Sequence, residues 1–204
     1  MKLRKKFLSV FCAVALVLGL SVPALAYSDV PEKHWAYEEI QTVTEKGLMN
    51  GAPNGTFQPD NYVTRATIIA TLWRLKESPK VTGEAFPDIS EKYWAYPAIV
   101  WAKSVGIATG YTNGSFGPED TVTREQLAVF LYRYALAEKM PIAEGVVDLY
   151  SDAQYISPWA LTGMKHALGS GLMTGTNKGL SPLGYATRAE MATILIRLTT
   201  PVKG

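Results

Sequence analysis

One cysteine and two histidines are all that 204 residues contain of thiol and imidazole metal ligands. The cysteine, Cys12, lies in a leader expected to be removed, so the mature chain would have no disulfide and no thiol nucleophile. His34 and His166 stand in unrelated surroundings, and neither has a second histidine or a cysteine at ligand spacing. No metal site is expected. Charge runs and low-complexity tracts are also missing. Long hydrophobic stretches are scarce too. The apolar run at residues 7–20 is shorter than the roughly 20 residues a membrane-spanning helix needs.

That run has another reading. Lys2, Arg4, Lys5 and Lys6 precede it, and Ala24-Leu25-Ala26 follows with the small-x-small pattern of a cleavage site. Residues 1–26 are therefore expected to be a secretory signal peptide, cut before Tyr27. Val10-Phe11 is too bulky for the sequence that precedes a lipid-modified cysteine. Cleavage removes four of the 20 Lys+Arg and none of the 18 Asp+Glu, leaving 16 against 18. A nearly neutral chain lacks the electrostatic basis for nucleic-acid binding. No membrane contact is expected after cleavage.

Catalytic constellations are missing as well. Glu38 and Glu39 are helix neighbours that point apart, unlike a glycosidase pair flanking one bond. Gly169-Ser170-Gly171 does not match a nucleophile elbow. No catalytic residue, cofactor or enzymatic activity is expected.

What the mature chain does contain is a threefold repeat. Residues 27–75 begin YSDVPEKHWAYEEI, residues 86–134 begin FPDISEKYWAYPAI, and residues 149–198 carry YSDAQYISPWALTG. Matching landmarks are Asp29, Asp88 and Asp152; Trp35, Trp94 and Trp159; Gly47, Gly106 and Gly171; Gly51, Gly110 and Gly175; Arg65, Arg124 and Arg188. The segments 76–85 and 135–148 read as linkers, and 199–204 as a short tail that lacks a sorting motif or hydrophobic anchor.

Each repeat reads as helix, loop, helix. Ala36, Ile40, Val43 and Gly47 share one helical face, as do Ala95, Ile99, Ala102 and Gly106, and Ala160, Met164, Ala167 and Gly171. The closing glycine suits a C-cap of positive φ. Ile68, Leu72 and Leu75 mark the second helix, matched by Leu127, Leu131 and Tyr134, and by Met191, Leu195 and Leu198. Thr123 with Gln126, and Thr187 with Glu190, have capping-box spacing, whereas repeat one has Thr67 in the acid's place. Asn54-Gly55 and Asn113-Gly114 mark tight turns, replaced in repeat three by Asn177-Lys178-Gly179. A two-helix unit cannot bury its own apolar face, so the three repeats should share one core.

Aromatic-x-Asp, Trp-Ala, Gly-(Leu/Ile)-x-x-Gly, Asn-Gly-x-Phe-x-Pro and Thr-Arg-Ala-Glu, in that order and repeated three times, resemble the surface-layer homology domain. The resemblance covers essentially the whole mature chain. It implies an all-α, pseudo-threefold, three-pronged spindle with grooves between repeats. It also implies non-covalent retention on a bacterial cell surface by binding secondary cell-wall polysaccharide, expected to carry a pyruvylated amino-sugar. The alternative is an exported adaptor or coat component that uses the grooves for other surface proteins.

One sequence feature suits that ligand. Arg65, Arg124 and Arg188 each stand at the first position of a helix, where the dipole disfavours a cation by roughly 0.3–1 kcal/mol. Free N–H groups at a helix start, beside a bidentate guanidinium, would suit a ketal carboxylate. The other reading of these arginines is an ion pair across repeats with Asp29, Asp88 or Asp152. Trp35, Trp94 and Trp159 are either sugar platforms or core anchors. Gly51, Gly110 and Gly175 admit a close approach of ligand or of chain. Asp29 and Asp88 are candidate sugar contacts or turn formers. Because the loop of repeat three loses its aromatic and its acid, the expectation is that Arg65 and Arg124 matter more than Arg188, with little loss of fold on replacing any of them.

Overall fold

The computed structural model describes residues 27–176 and 179–200. The expected signal peptide and the Asn177-Lys178 turn dipeptide lie outside the described residues. Among the described residues six α-helices follow in the expected helix–loop–helix order: α1 (Tyr37–Glu45), α2 (Arg65–Leu75), α3 (Tyr96–Ser104), α4 (Arg124–Ala137), α5 (Leu161–Gly169) and α6 (Arg188–Thr199). One 3-10 turn, Ala153–Tyr155, precedes α5. The fold is all-α, and no strand longer than an isolated bridge occurs among the described residues.

The second helix of each repeat starts on a threonine N-cap. Thr64, Thr123 and Thr187 are extended, with ψ of 161°, 161° and 164°, and each hydroxyl accepts the N–H three residues on. Both predicted capping boxes are formed, and Thr64 caps Thr67 without one. Replacing such a cap costs about 1 kcal/mol. The first helices end as predicted on Gly47, Gly106 and Gly171, with φ of +65°, +78° and +68°.

Helices pair across repeats. α2 lies on α3, α4 on α5, and α6 returns to α1. The three pairs are the prongs, and the last contact closes repeat three onto repeat one. At the centre the backbone closes a ring of hydrogen bonds. Val63 donates to Ala186 (3.0 Å), Ala186 to Val122 (2.9 Å) and Val122 to Val63 (3.0 Å). Ala36, Ile40, Val43, Ala95, Ile99, Ala102, Ala160, Met164 and Ala167 join Ile68, Leu72, Leu127, Leu131, Met191 and Leu195 in one buried cluster. A shared core follows from geometry: each short amphipathic helix hides its apolar face only against the next repeat.

Candidate functional site

Each arginine at a helix start reaches into the loop of the following repeat. Arg65 donates Nε–H to the Phe116 carbonyl (2.7 Å), Arg124 to Leu180 (2.9 Å) and Arg188 to Phe57 (2.8 Å). The same loops cover the helix starts. The N–H groups of Arg65 and Ala66 go to the carbonyls of Asp120 and Pro118, those of Arg124 and Glu125 to Gly184 and Pro182, and those of Arg188 and Ala189 to Asn61 and Pro59. The third N–H is taken by the threonine cap. These helix starts therefore offer no free donors to an anion, contrary to the sequence expectation. The carbonyls of the neighbouring loop meet the positive end of each dipole, and any anion must be met by side chains.

The aspartates hold those loops in place. Asp29 accepts the N–H groups of Phe57 (2.8 Å) and Gln58 (2.7 Å). Asp88 accepts those of Phe116 and Gly117 (both 2.8 Å), and Asp152 those of Leu180 (2.9 Å) and Ser181 (2.7 Å). Each carboxylate thus fixes the peptide whose carbonyl receives an arginine. Burial disfavours the charge on Asp88 and Asp152, but the paired N–H groups outweigh it and hold both below the usual carboxylate range. This is the turn-forming alternative, and the direct arginine–aspartate ion pairs do not form. The close approach at Gly51, Gly110 and Gly175 is likewise to the chain. A Cβ on Gly110 would stand 2.7 Å from the Phe86 ring, and Tyr27 and Tyr150 fill the same place beside Gly51 and Gly175.

The indoles of Trp35, Trp94 and Trp159 are 61%, 54% and 59% exposed, so they are not core anchors. Ala36, Ala95 and Ala160 enter the core in their stead. Each indole closes a groove whose other walls come from the remaining two repeats. The largest groove, about 430 Å³, sets Arg65 from repeat one against Tyr111, Gln126, Phe130 and Arg133 from repeat two and Trp159 from repeat three. A second, about 230 Å³, combines Arg124, Glu190, Arg197 and Trp35. The third, about 160 Å³, combines Arg188, Asn50, Thr67, Arg74 and Trp94.

Arg74, Arg133 and Arg197 were not singled out from the sequence. They stand nine residues after Arg65, Arg124 and Arg188, which is two and a half helical turns and hence the opposite face. One helix therefore sends its two arginines into different grooves, and each groove receives one from each of two helices. The later arginines are braced by Leu48 O (3.1 Å), Thr109 Oγ1 (3.0 Å) and Leu172 O (3.0 Å). The signal was present in the three strings RATIIATLWR, REQLAVFLYR and RAEMATILIR. Glu125 was missed as well. It is buried, and its carboxylate accepts both the N–H (2.8 Å) and the hydroxyl (2.9 Å) of Ser157, two residues before Trp159.

The guanidinium surroundings differ. Arg65 lies over Tyr111 (4.5 Å), Phe116 (4.7 Å) and Phe130 (5.2 Å), and Arg188 over Phe57 (4.6 Å). Burial lowers the pKa of both, and the positive charge of Arg133 lowers that of Arg65 further. Both stay cationic, because a guanidinium does not deprotonate in proteins. Arg124 meets Leu180 where the others meet phenylalanine, and it pairs with Glu190 at 2.5 Å. The loop of repeat three thus faces Arg124, whereas the sequence reading had assigned its departures to Arg188.

Among the described residues no cluster of His, Cys, Asp and Glu is placed to hold a metal ion. No described helix is long and apolar enough to cross a membrane. The S-layer homology domain model matches residues 26–69, 85–128 and 149–192. An endoglucanase of Bacillus sp. (strain KSM-635) is 32% identical over 95% of this chain and 22% of its own length. The surface-layer 125 kDa protein of Lysinibacillus sphaericus is 26% identical over 95% of the chain and 17% of its own. The S-layer protein sap of Bacillus anthracis is 26% identical over 95% of the chain and 24% of its own. The chain spans less than a quarter of each of these relatives. With three family matches on the three repeats, this chain belongs to the S-layer homology domain family and is a secreted protein of the bacterial cell wall or surface.

Proposed function

We propose that the chain binds secondary cell-wall polysaccharide non-covalently and that its grooves seat a pyruvylated amino-sugar of that polymer. The observation that carries this reading is the recurring groove itself. A guanidinium from one repeat, a second from the next and an exposed indole from the third converge three times on one small protein. A guanidinium fork matches a carboxylate in two parallel hydrogen bonds. An exposed indole offers an apolar platform to a sugar ring, with an N–H at its edge. A pyruvate ketal places its carboxylate directly on a sugar, so one residue of the polymer meets both elements.

A surface-layer protein, an endoglucanase and an amylopullulanase are among the relatives similar to this chain, which is consistent with a retention module that serves different proteins. In this reading the repeats act by binding. More than one groove on one molecule also permits avidity along a polymer, raising apparent affinity by roughly 10²–10⁴-fold over a single sugar. Sedimentation of the chain with purified, protein-free wall polysaccharide tests the reading. Co-sedimentation is expected. Failure to sediment with the glycan, together with sedimentation on walls that retain their surface proteins, would replace it with the adaptor reading.

A further inference from the structure

The third residue of the helix that lines each groove distinguishes the three. It is Gln126 beside Arg65, Glu190 beside Arg124 and Thr67 beside Arg188. We infer that Glu190 closes the Arg124 groove to anions, so that carboxylate-bearing sugars are captured in the Arg65 and Arg188 grooves alone. This rests on the reading of the grooves as sites for an anionic sugar and names the residue that divides them.

All three nitrogens of Arg124 are already engaged. Nε–H goes to Leu180 O, an Nη2–H to Thr174 O (2.9 Å) and an Nη1–H to Glu190 Oε1 (2.5 Å). Glu190 is not free to turn aside, because its other oxygen accepts the Thr187 N–H at 2.9 Å and completes the helix cap. An incoming carboxylate would meet Arg124 already neutralised and a fixed like charge beside it, with Arg197 as the one guanidinium of the groove that no carboxylate among the described residues offsets. Arg65 is different. Its protein hydrogen bond is from Nε, and both Nη groups remain available to the groove. Arg188 uses Nε and one Nη2–H, on Phe57 and Asn50 (both 2.8 Å), and keeps Nη1.

Gln126 does the same structural work without the charge, and Thr67 brings no charge either. Gln126 Oε1 accepts the Thr123 N–H at 3.0 Å, which leaves its amide donors uncharged beside Arg65. Thr67 lies 3.0 Å, hydroxyl to hydroxyl, from the Thr64 cap. Glutamine at position 190 can therefore replace the acid while keeping the helix start, as Gln126 does in α4.

Each groove contains its own reporter: Trp159 for Arg65, Trp35 for Arg124 and Trp94 for Arg188. Trp73 and Trp101, outside the grooves, serve as controls. Indole N–H signals of the full chain are followed by NMR during titration with sodium pyruvate and with a synthetic pyruvate-ketal amino-sugar. Saturable shifts are expected at Trp94 and Trp159 but not at Trp35. Glu190→Gln should add Trp35 to the set, and Gln126→Glu should weaken the response of Trp159 at least tenfold. Equal movement of all three indoles in the native chain, a silent Trp35 in the Glu190→Gln variant, or no shift with either probe would overturn the division. If pyruvate divided the grooves this way while the ketal sugar moved no indole, the wall-glycan reading would fall and the division would stand.

Discussion

In the groove of Arg65 the guanidinium rests on three aromatic rings and donates one hydrogen bond to the protein, from Nε. In the groove of Arg124 a leucine stands where the phenylalanine would be, and the guanidinium is tied by all three nitrogens, one of them to a glutamate. Both grooves come from the same motif at the same place in the fold. The motif fixes where the arginine is delivered, through the helix start and the neighbour's loop. Two other residues distinguish the arginines' surroundings: the side chain before the loop serine or glycine, and the third residue of the helix that lines the groove. Repeat identity therefore does not imply equivalent binding.

The largest effect that would sharpen this comparison is on affinity for a pyruvylated disaccharide. Arg65→Ala removes a charge-assisted contact worth about 1.5–3 kcal/mol, a loss of roughly 10- to 150-fold. Arg188→Ala should follow, and Arg124→Ala should change affinity by less than about threefold. This order departs from the sequence-based one because the altered loop lies against Arg124. Arg65→Lys should keep part of the affinity, since the charge survives and the fork does not. Calorimetry on the four variants gives the ranking, and an Arg124→Ala loss matching that of Arg65→Ala would erase the distinction between the grooves.

Next comes the loop beneath the arginine. Asp88→Ala strands the N–H groups of Phe116 and Gly117, a loss of about 1–3 kcal/mol. For a chain of this size that corresponds to a fall of roughly 2–12 °C in thermal midpoint. The arginines are coupled to the same peptides, so replacing them should also lower the midpoint, unlike the neutral effect expected from the dipole argument alone. The sign of the pH effect follows from the carboxylate. Its folded pKa is depressed, so the stabilisation is present above the ordinary value near 3.9 and is lost as pH falls through the folded one. Asp152→Ala should behave alike in the Arg124 groove, because Asp152 grips its loop in the same way.

Trp159→Ala separates binding from folding. The indole is mostly exposed, so the stability change should stay within about 0.5 kcal/mol, while affinity in the Arg65 groove falls several-fold. A large drop in thermal midpoint would return the tryptophan to the role of core anchor.

The smallest effect is confined to repeat three. Burial lowers the pKa of His166, whose ring nitrogen accepts the Ala143 N–H at 3.2 Å. The unfolded chain then takes up the proton first, so stability is full above about pH 6.5 and declines as pH falls toward the folded value. Denaturant midpoints at pH 7 and pH 5.5 should differ in the native chain, and a His166→Gln variant should lose that difference.

Much of this was legible because it is local. Helix periodicity, threonine caps and C-cap glycines each depend on residues a few positions apart. What the sequence hid is the rotation from one repeat to the next. Arg124 finds Glu190 sixty-six residues away, and Arg188 finds Phe57 across the ring closure. A threefold repeat permits a residue to meet its own loop, the next or the previous one, and periodicity is the same for all three. The lone Thr67 in the acid's place read as a weakened cap, yet it also leaves the Arg188 groove without a carboxylate on its lining helix.

The most direct test of the central claim is equilibrium binding of the full chain to purified wall polysaccharide before and after mild acid removes the ketal. The account predicts at least a tenfold loss of affinity, and a salt dependence that largely disappears with the carboxylate. Undiminished binding to the ketal-free polymer would contradict it.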